Sequence, residues 1–285
     1  MSKQICLSNE FLKVTISTTG AELKSIIKDG NELLWQGDPA VWSGQAPVLF
    51  PICGGLKDDK FIFNGKEYTL PRHGFARRSE FVVESNNNDE ATFLLTSDEK
   101  TLENYPFTFE LRITYRLEER ALCVRYDVKN TSDKIMYFSI GSHEAYSCPA
   151  GIEEYSVIFE HPEDLDYNAL STKGQLLEDT KTLGKGIKEL RLENKHFEND
   201  ALVFTSLKSR KVELKNNVTG YSIQVAFPGK DYFLLWTNPG AKYICLEPWC
   251  GIADFVNTDY DITKKKGINT LEAGKCFIRE HTITF

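Results

Sequence analysis

Apolar and polar residues alternate with a period of two along much of this chain. From Phe107 to Leu117 the odd positions (Phe107, Phe109, Leu111, Ile113, Tyr115, Leu117) are apolar and the even ones are polar or charged, the pattern of a strand buried on one face. Beyond Glu118-Glu119-Arg120 the alternation resumes at Leu122, Val124, Tyr126 and Val128, so the two segments are predicted to pair as an antiparallel hairpin. Similar runs occur at Phe11–Ser17, Glu80–Glu84, Ala91–Thr96, Ile135–Ile140, Tyr155–Glu160, Tyr221–Phe227, Tyr232–Trp236 and Cys276–Phe285. Asn64-Gly65 sits between two β-prone stretches, and both residues tolerate the positive φ of a tight hairpin turn. No segment keeps a helical period over three turns, and the best short candidate, Asp38–Trp42, makes one turn at most. The expected fold is all-β, a large antiparallel sandwich formed as a single domain over residues 1–285. The polar stretch from His161 to Asn199 is expected to form loops crossing that sandwich.

Composition narrows the function. The formal charge of −7 comes without a long basic block, which leaves no field to hold nucleic acid or an anionic membrane surface. The first residues lack the apolar core of a signal peptide, and no apolar run is long enough to span a bilayer, so a cytoplasmic location is expected. Seven cysteines fall without paired C-x-x-C spacings and five histidines lie far apart. Neither a disulfide framework nor a metal motif is indicated, and a metal would require distant residues to meet in the fold.

Three segments carry the candidate chemistry. Pro71-Arg72-His73-Gly74-Phe75-Ala76-Arg77-Arg78 places a histidine, an aromatic ring and three arginines around a glycine that allows close backbone approach; the plain alternative is a solvated basic loop. In Gly141-Ser142-His143-Glu144, His143 follows a β-prone run and is either a structural hydrogen-bonding residue or a group held at a cleft by a rigid strand end. Glu144 is a candidate orienting partner for it, although successive strand residues face opposite ways. In Leu246-Glu247-Pro248-Trp249 a carboxylate ends an apolar strand beside a tryptophan. A buried carboxylate needs a partner and indole rings stack on sugar C–H faces, which makes Glu247 the best acid/base candidate if it is not a partly exposed strand end. Asn199-Asp200, before the apolar Ala201–Phe204 run, is a weaker ligand-binding or turn candidate. His161, His196 and His281 are read as structural or surface residues.

In this order, His73-Gly-Phe-Ala-Arg77, Gly141-Ser-His143 and Leu246-Glu-Pro-Trp249 resemble the aldose 1-epimerase (galactose mutarotase-like) superfamily. The likeness extends over essentially the whole chain and is greater to the LacX-like branch than to the galactose mutarotases proper, which carry a different surround of the second histidine. The resemblance implies a β-supersandwich with the sugar in an open groove. It further implies Glu247 as the base at the C1 hydroxyl, His143 as the acid at the ring oxygen, His73 at the anomeric region and Asp200 on a hydroxyl. Arg77, Phe75 and Trp249 complete the expected substrate-binding set, and the resemblance implies no metal and no coenzyme. Gly55 stands where related sequences often carry an arginine. Arg72, Arg77 and Arg78 are also similar to the basic groups of hexose-6-phosphate mutarotases, since guanidinium matches phosphate oxygens in pairs. The alternatives are a non-catalytic sugar-binding protein and a lyase or hydrolase on a similar sandwich.

Overall fold

A computed structural model of the protein describes residues 3–285. Two antiparallel sheets make up most of it. The larger has nine strands, in the order Ile187–Arg191, Tyr155–Glu163, Lys211–Asn216, Ser222–Ala226, Cys276–Thr284, Ala121–Asn130, Phe109–Glu118, Glu90–Thr96 and Val82–Asn86. In the second sheet, Ile140–Gly141 and Glu144–Ser147 both pair with Tyr243–Cys250, followed by Tyr232–Trp236, Leu202–Phe204, Asp166–Leu170 and Leu176–Thr182. A four-stranded meander over Gln4–Glu32 and the hairpin Lys60–Phe63/Lys66–Thr69 flank them. The expected turn lies in that hairpin, with Asn64 and Gly65 at φ 50° and 75°.

The alternation read from Phe109 to Leu117 is the burial pattern of the strand, whose odd residues are all buried. It pairs with Ala121–Asn130 as the expected antiparallel hairpin, with Leu117 opposite Leu122 and Ile113 opposite Tyr126. Buried side chains from Ile5 to Ile283 join one continuous apolar cluster between the sheets. The fold is therefore the all-β antiparallel sandwich that the pattern predicts.

Two local expectations differ from the structure. The segment 161–199 is not a set of loops: the strand from Tyr155 runs on to Glu163, and Asp166–Leu170, Leu176–Thr182 and Ile187–Arg191 are strands at the sheet margins. In Leu176–Thr182 every residue after Leu176 is exposed, so an edge strand wet on both faces shows no alternation. A helix from Glu99 to Asn104 also goes unpredicted; Asp98 caps it, accepting from the Thr101 N–H while Thr101 Oγ1 accepts from the Asp98 N–H. No helix among the described residues is long and apolar enough to cross a membrane.

Candidate active site

The site is built on the strand Tyr243–Cys250, in which all eight residues are buried. Its even residues Ile244, Leu246 and Cys250 join the core between the sheets. The odd residues Tyr243, Cys245 and Trp249 belong to two smaller clusters on the opposite face, and Glu247 shares that face because side chains alternate along a strand. On one side, Leu234 lies opposite Glu247 and Trp236 opposite Cys245. On the other, Gly141 pairs with Trp249 and Glu144 with Leu246. Continuing that register sets His143 opposite Glu247 and Ser142 opposite Pro248, which has no N–H to give to the ladder.

His143, Leu234, Trp236, Glu247 and Trp249 floor an open cleft of ≈ 520 Å³, with His73, Arg72, Arg77 and Asp200 on its walls. Nε2 of His143 stands 3.4 Å from Oε2 of Glu247. The two do not align as a hydrogen bond, and Oε2, like Nδ1 of His143, is buried without a partner. Rings hold His143 instead: Trp42 stacks on it at 5.1 Å, with Trp236 edge-on at 5.5 Å and His73 edge-on at 5.5 Å. Glu247 is 1% exposed and His143 8%. Burial pushes the Glu247 carboxyl well up, against the pull of Arg72, and pushes His143 down to about 3. Both directions have one cause, since a dry site disfavours charge.

His73 comes from a loop tied to Gly54 by two hydrogen bonds. Its N–H donates to the Gly54 carbonyl at 2.8 Å, and the Gly54 N–H donates to its Nδ1 at 3.1 Å. The neutral ring therefore keeps its proton on Nε2, and burial, followed by the neighbouring His143 and arginines, holds its pKa well below the usual histidine range. The loop needs Gly74: a Cβ there would lie 2.2 Å from the Phe50 carbonyl oxygen. His73 and Asp200 both adopt left-handed backbone, at φ 67° and 78°, a conformation that costs a non-glycine residue about 1–2 kcal/mol and gathers at functional sites.

The cleft thus gathers His73, His143, Glu247, Arg77, Asp200 and Trp249 from the sequence reading. Trp249 is only 4% exposed, and its Nε1 donates to the Ser142 carbonyl at 2.9 Å, so it braces the floor more than it faces a ligand. Phe75 is a correction. The left-handed turn at His73 and Gly74 sends it into the core against Phe50, Tyr105 and Phe109, off the cleft wall.

Glu144 is another correction, because it faces away from His143 and accepts from Nε2 of His281 at 3.0 Å. Nδ1 of His281 in turn meets Nζ of Lys230 at 2.8 Å, and all three side chains are buried. His281 is structural, as expected. Trp42 and Trp236, two half-buried rings lining the cleft, went unread. Only the pairing of Trp236 with Cys245 and the fold of the Asp38–Trp42 turn bring them in.

Arg72 reaches Asp200 at 3.8 Å across the cleft wall, and its guanidinium lies where a Cβ on Gly174 would touch it at 3.4 Å. A Cβ on Gly55 would meet only the Gly174 carbonyl, at 3.8 Å, so Gly55 leaves open space next to Gly174, the residue against which Arg72 lies. Arg78 is exposed and takes no part in the cleft wall.

Known proteins share this arrangement of chain. Protein LacX, plasmid form, of Lactococcus lactis subsp. lactis is 38% identical over 261 residues, 87% of each chain. A galactose mutarotase related enzyme of Lactobacillus acidophilus superposes with a TM-score of 0.94 at 32% identity, over 99% of this chain and 97% of that one. A galactose mutarotase-like protein of Lactobacillus casei gives the same TM-score at 27% identity, over 99% of each chain. With the aldose 1-epimerase family profile matching residues 3–275, the chain belongs to the aldose 1-epimerase family.

Proposed function

We propose that this protein is an aldose mutarotase that interconverts α and β anomers by ring opening, with Glu247 as general base and His143 as general acid. The observation that carries the proposal is the buried, unaligned pair at 3.4 Å on the cleft floor. Glu247 takes the proton of the C1 hydroxyl, the C1–ring oxygen bond breaks as the aldehyde forms, and His143 delivers a proton to the ring oxygen. Rotation about C1–C2 and the reverse steps give the other anomer. The reactive state, carboxylate and imidazolium, holds one proton between the two groups. So does the state that burial favours in the empty cleft, with Glu247 protonated and His143 neutral. The pair therefore titrates as a unit. Ring opening returns it to its uncharged form, so a dry floor favours the bond-breaking step. His73, with its Nε2–H free to donate, steadies the anomeric oxygen, and Arg72 with Asp200 offers a donor and an acceptor to sugar hydroxyls.

A phosphorylated sugar is a second reading, favoured by two arginines on one wall. Among the described residues, Arg72 has only the long 3.8 Å contact to Asp200, and Nε of Arg77 is buried without a partner.

Polarimetry on freshly dissolved α-anomers tests the main proposal. Glu247→Gln keeps the shape but removes the base, and is expected to lower kcat by on the order of 10² to 10⁴ with little change in sugar binding. Undiminished mutarotation in this variant would reject Glu247 as the base.

A further inference from the structure

We propose that the cleft floor is also a site for a soft divalent cation of the Zn²⁺ type, bound by His143, Cys245 and Glu247, and that its occupancy switches the acid–base pair off. The cation site stands on geometry alone, and the inhibitory consequence rests on the mutarotase reading above. Cys245 plays no part in the proposed ring opening. Two residues before Glu247, it shares the same face of the same strand, while His143 sits in the gap between Ile140–Gly141 and Glu144–Ser147, 3.4 Å from Glu247. One ligand atom from each, a ring nitrogen, Sγ and a carboxylate oxygen, lies within 4.8 Å of the other two, and all three residues are buried.

A second observation points the same way. Oε2 of Glu247 is buried and lacks a hydrogen-bond partner, an arrangement that costs free energy unless something fills it. Zinc bonds of about 2.0–2.3 Å to nitrogen, oxygen and sulfur place tetrahedral ligand atoms about 3.3–3.6 Å apart. The histidine and the carboxylate already stand 3.4 Å apart, so small side-chain rotations bring the sulfur in. Two of the three ligands, His143 and Glu247, line the cleft while Cys245 does not, so the proposed site leaves its fourth position on the cleft side, as in zinc sites with three protein ligands.

Thiolate and imidazole select Zn²⁺ or Co²⁺ over Mg²⁺ or Ca²⁺, which prefer all-oxygen shells. Binding displaces the thiol proton of Cys245 and the single proton of the pair to solvent, two protons for one dication, with no change of oxidation state. The bound ion occupies the carboxylate lone pair that the C1 hydroxyl needs and the ring nitrogen that protonates the ring oxygen. The plain alternative is that Cys245 only fills space among Trp35, Trp42, Trp236 and Tyr243.

Co²⁺ is the probe, added to chelator-treated protein under reduction, because a cobalt–thiolate bond gives a near-ultraviolet charge-transfer band. One equivalent is expected to raise the band, and the exposed thiols are excluded if it survives Cys6→Ser with Cys276→Ser. Cys245→Ala is expected to lose the band and keep its mutarotation. Zn²⁺ inhibits the parent protein reversibly with EDTA, and Cys245→Ala requires roughly tenfold more Zn²⁺ or beyond, the least that ligand loss costs when loss of a mere supporting partner costs 10- to 100-fold. Should Cys245→Ala fold poorly, His143→Asn must weaken the same band. Absence of a band, a band unchanged in Cys245→Ala, or equal Zn²⁺ sensitivity of the two proteins overturns the proposal. A Cys245-dependent band in a protein without mutarotase activity upholds the cation site and rejects the acid–base reading instead.

Discussion

On the mechanism proposed above, the pH dependence of kcat/KM follows from the burial of Glu247 and His143. This quantity reports the free enzyme, so its limbs are set by the empty cleft. The competent form holds one proton on the pair. On the acid side it is lost when the pair takes up a second proton, and with Glu247 already protonated that proton must go to His143, whose burial sets the limb at about pH 3. On the alkaline side it is lost when the only proton leaves, at the raised value of Glu247. Were the two groups solvated, the acid limb would be a carboxylate titration near 4.3 and the alkaline limb a histidine near 6.5.

The contrast is widest in mild acid. At pH 3.5 the buried pair, with His143 at about 3, keeps about three-quarters of the enzyme competent, whereas solvated groups would keep about one-seventh, a difference of roughly fivefold. The assay is initial-rate polarimetry with an α-anomer from pH 3 to 9, corrected for spontaneous mutarotation. Each sample is returned to pH 7 to show that lost rate is not lost protein. An acid limb at 4.3 or above, with full recovery at pH 7, refutes the claim that desolvation governs this pair.

Other consequences are more local. Arg77→Ala should weaken 6-phosphorylated aldoses by about 1.5–3 kcal/mol relative to the free sugars, the worth of a charged hydrogen bond; equal losses in KM for both would limit Arg77 to supporting its loop. Trp42→Ala removes the ring stacked on His143 at 5.1 Å and is expected to raise KM roughly two- to tenfold, from an aromatic contact of about 0.5–1.5 kcal/mol, so an unchanged KM would exclude the ring from the sugar site. Glu144→Gln removes the charge that balances buried Lys230, itself held down to about 8 by burial. Urea unfolding should show a loss of about 3–5 kcal/mol, as for other broken buried pairs, and a loss under 1 kcal/mol would show that the cluster holds no ion pair.

Local sequence was enough for the class of fold and for marking candidate groups that the fold gathers in one cleft. A strand wet on one face writes its orientation into every second residue, so Phe109–Glu118 and its hairpin partner were legible locally, as was the turn at Asn64-Gly65. His73 and His143 sit in a loop and at a strand end, where chemistry-bearing residues fall in short legible runs, whereas Glu247, expected at a strand end, lies inside the strand Tyr243–Cys250. Tertiary structure decided which way those residues face. Along Tyr243–Cys250 both faces are buried, so no polar alternation marks the cleft side, and only register with distant strands tells Cys245 and Glu247 from Leu246. The same dependence hid Trp236, whose position relative to the site is set by its pairing with Cys245. It also hid the partner of Glu144, which lies 137 residues away on the opposite sheet. The pKa directions of the pair belong to tertiary structure as well, because desolvation is a property of what packs around a group and not of its neighbours in the chain.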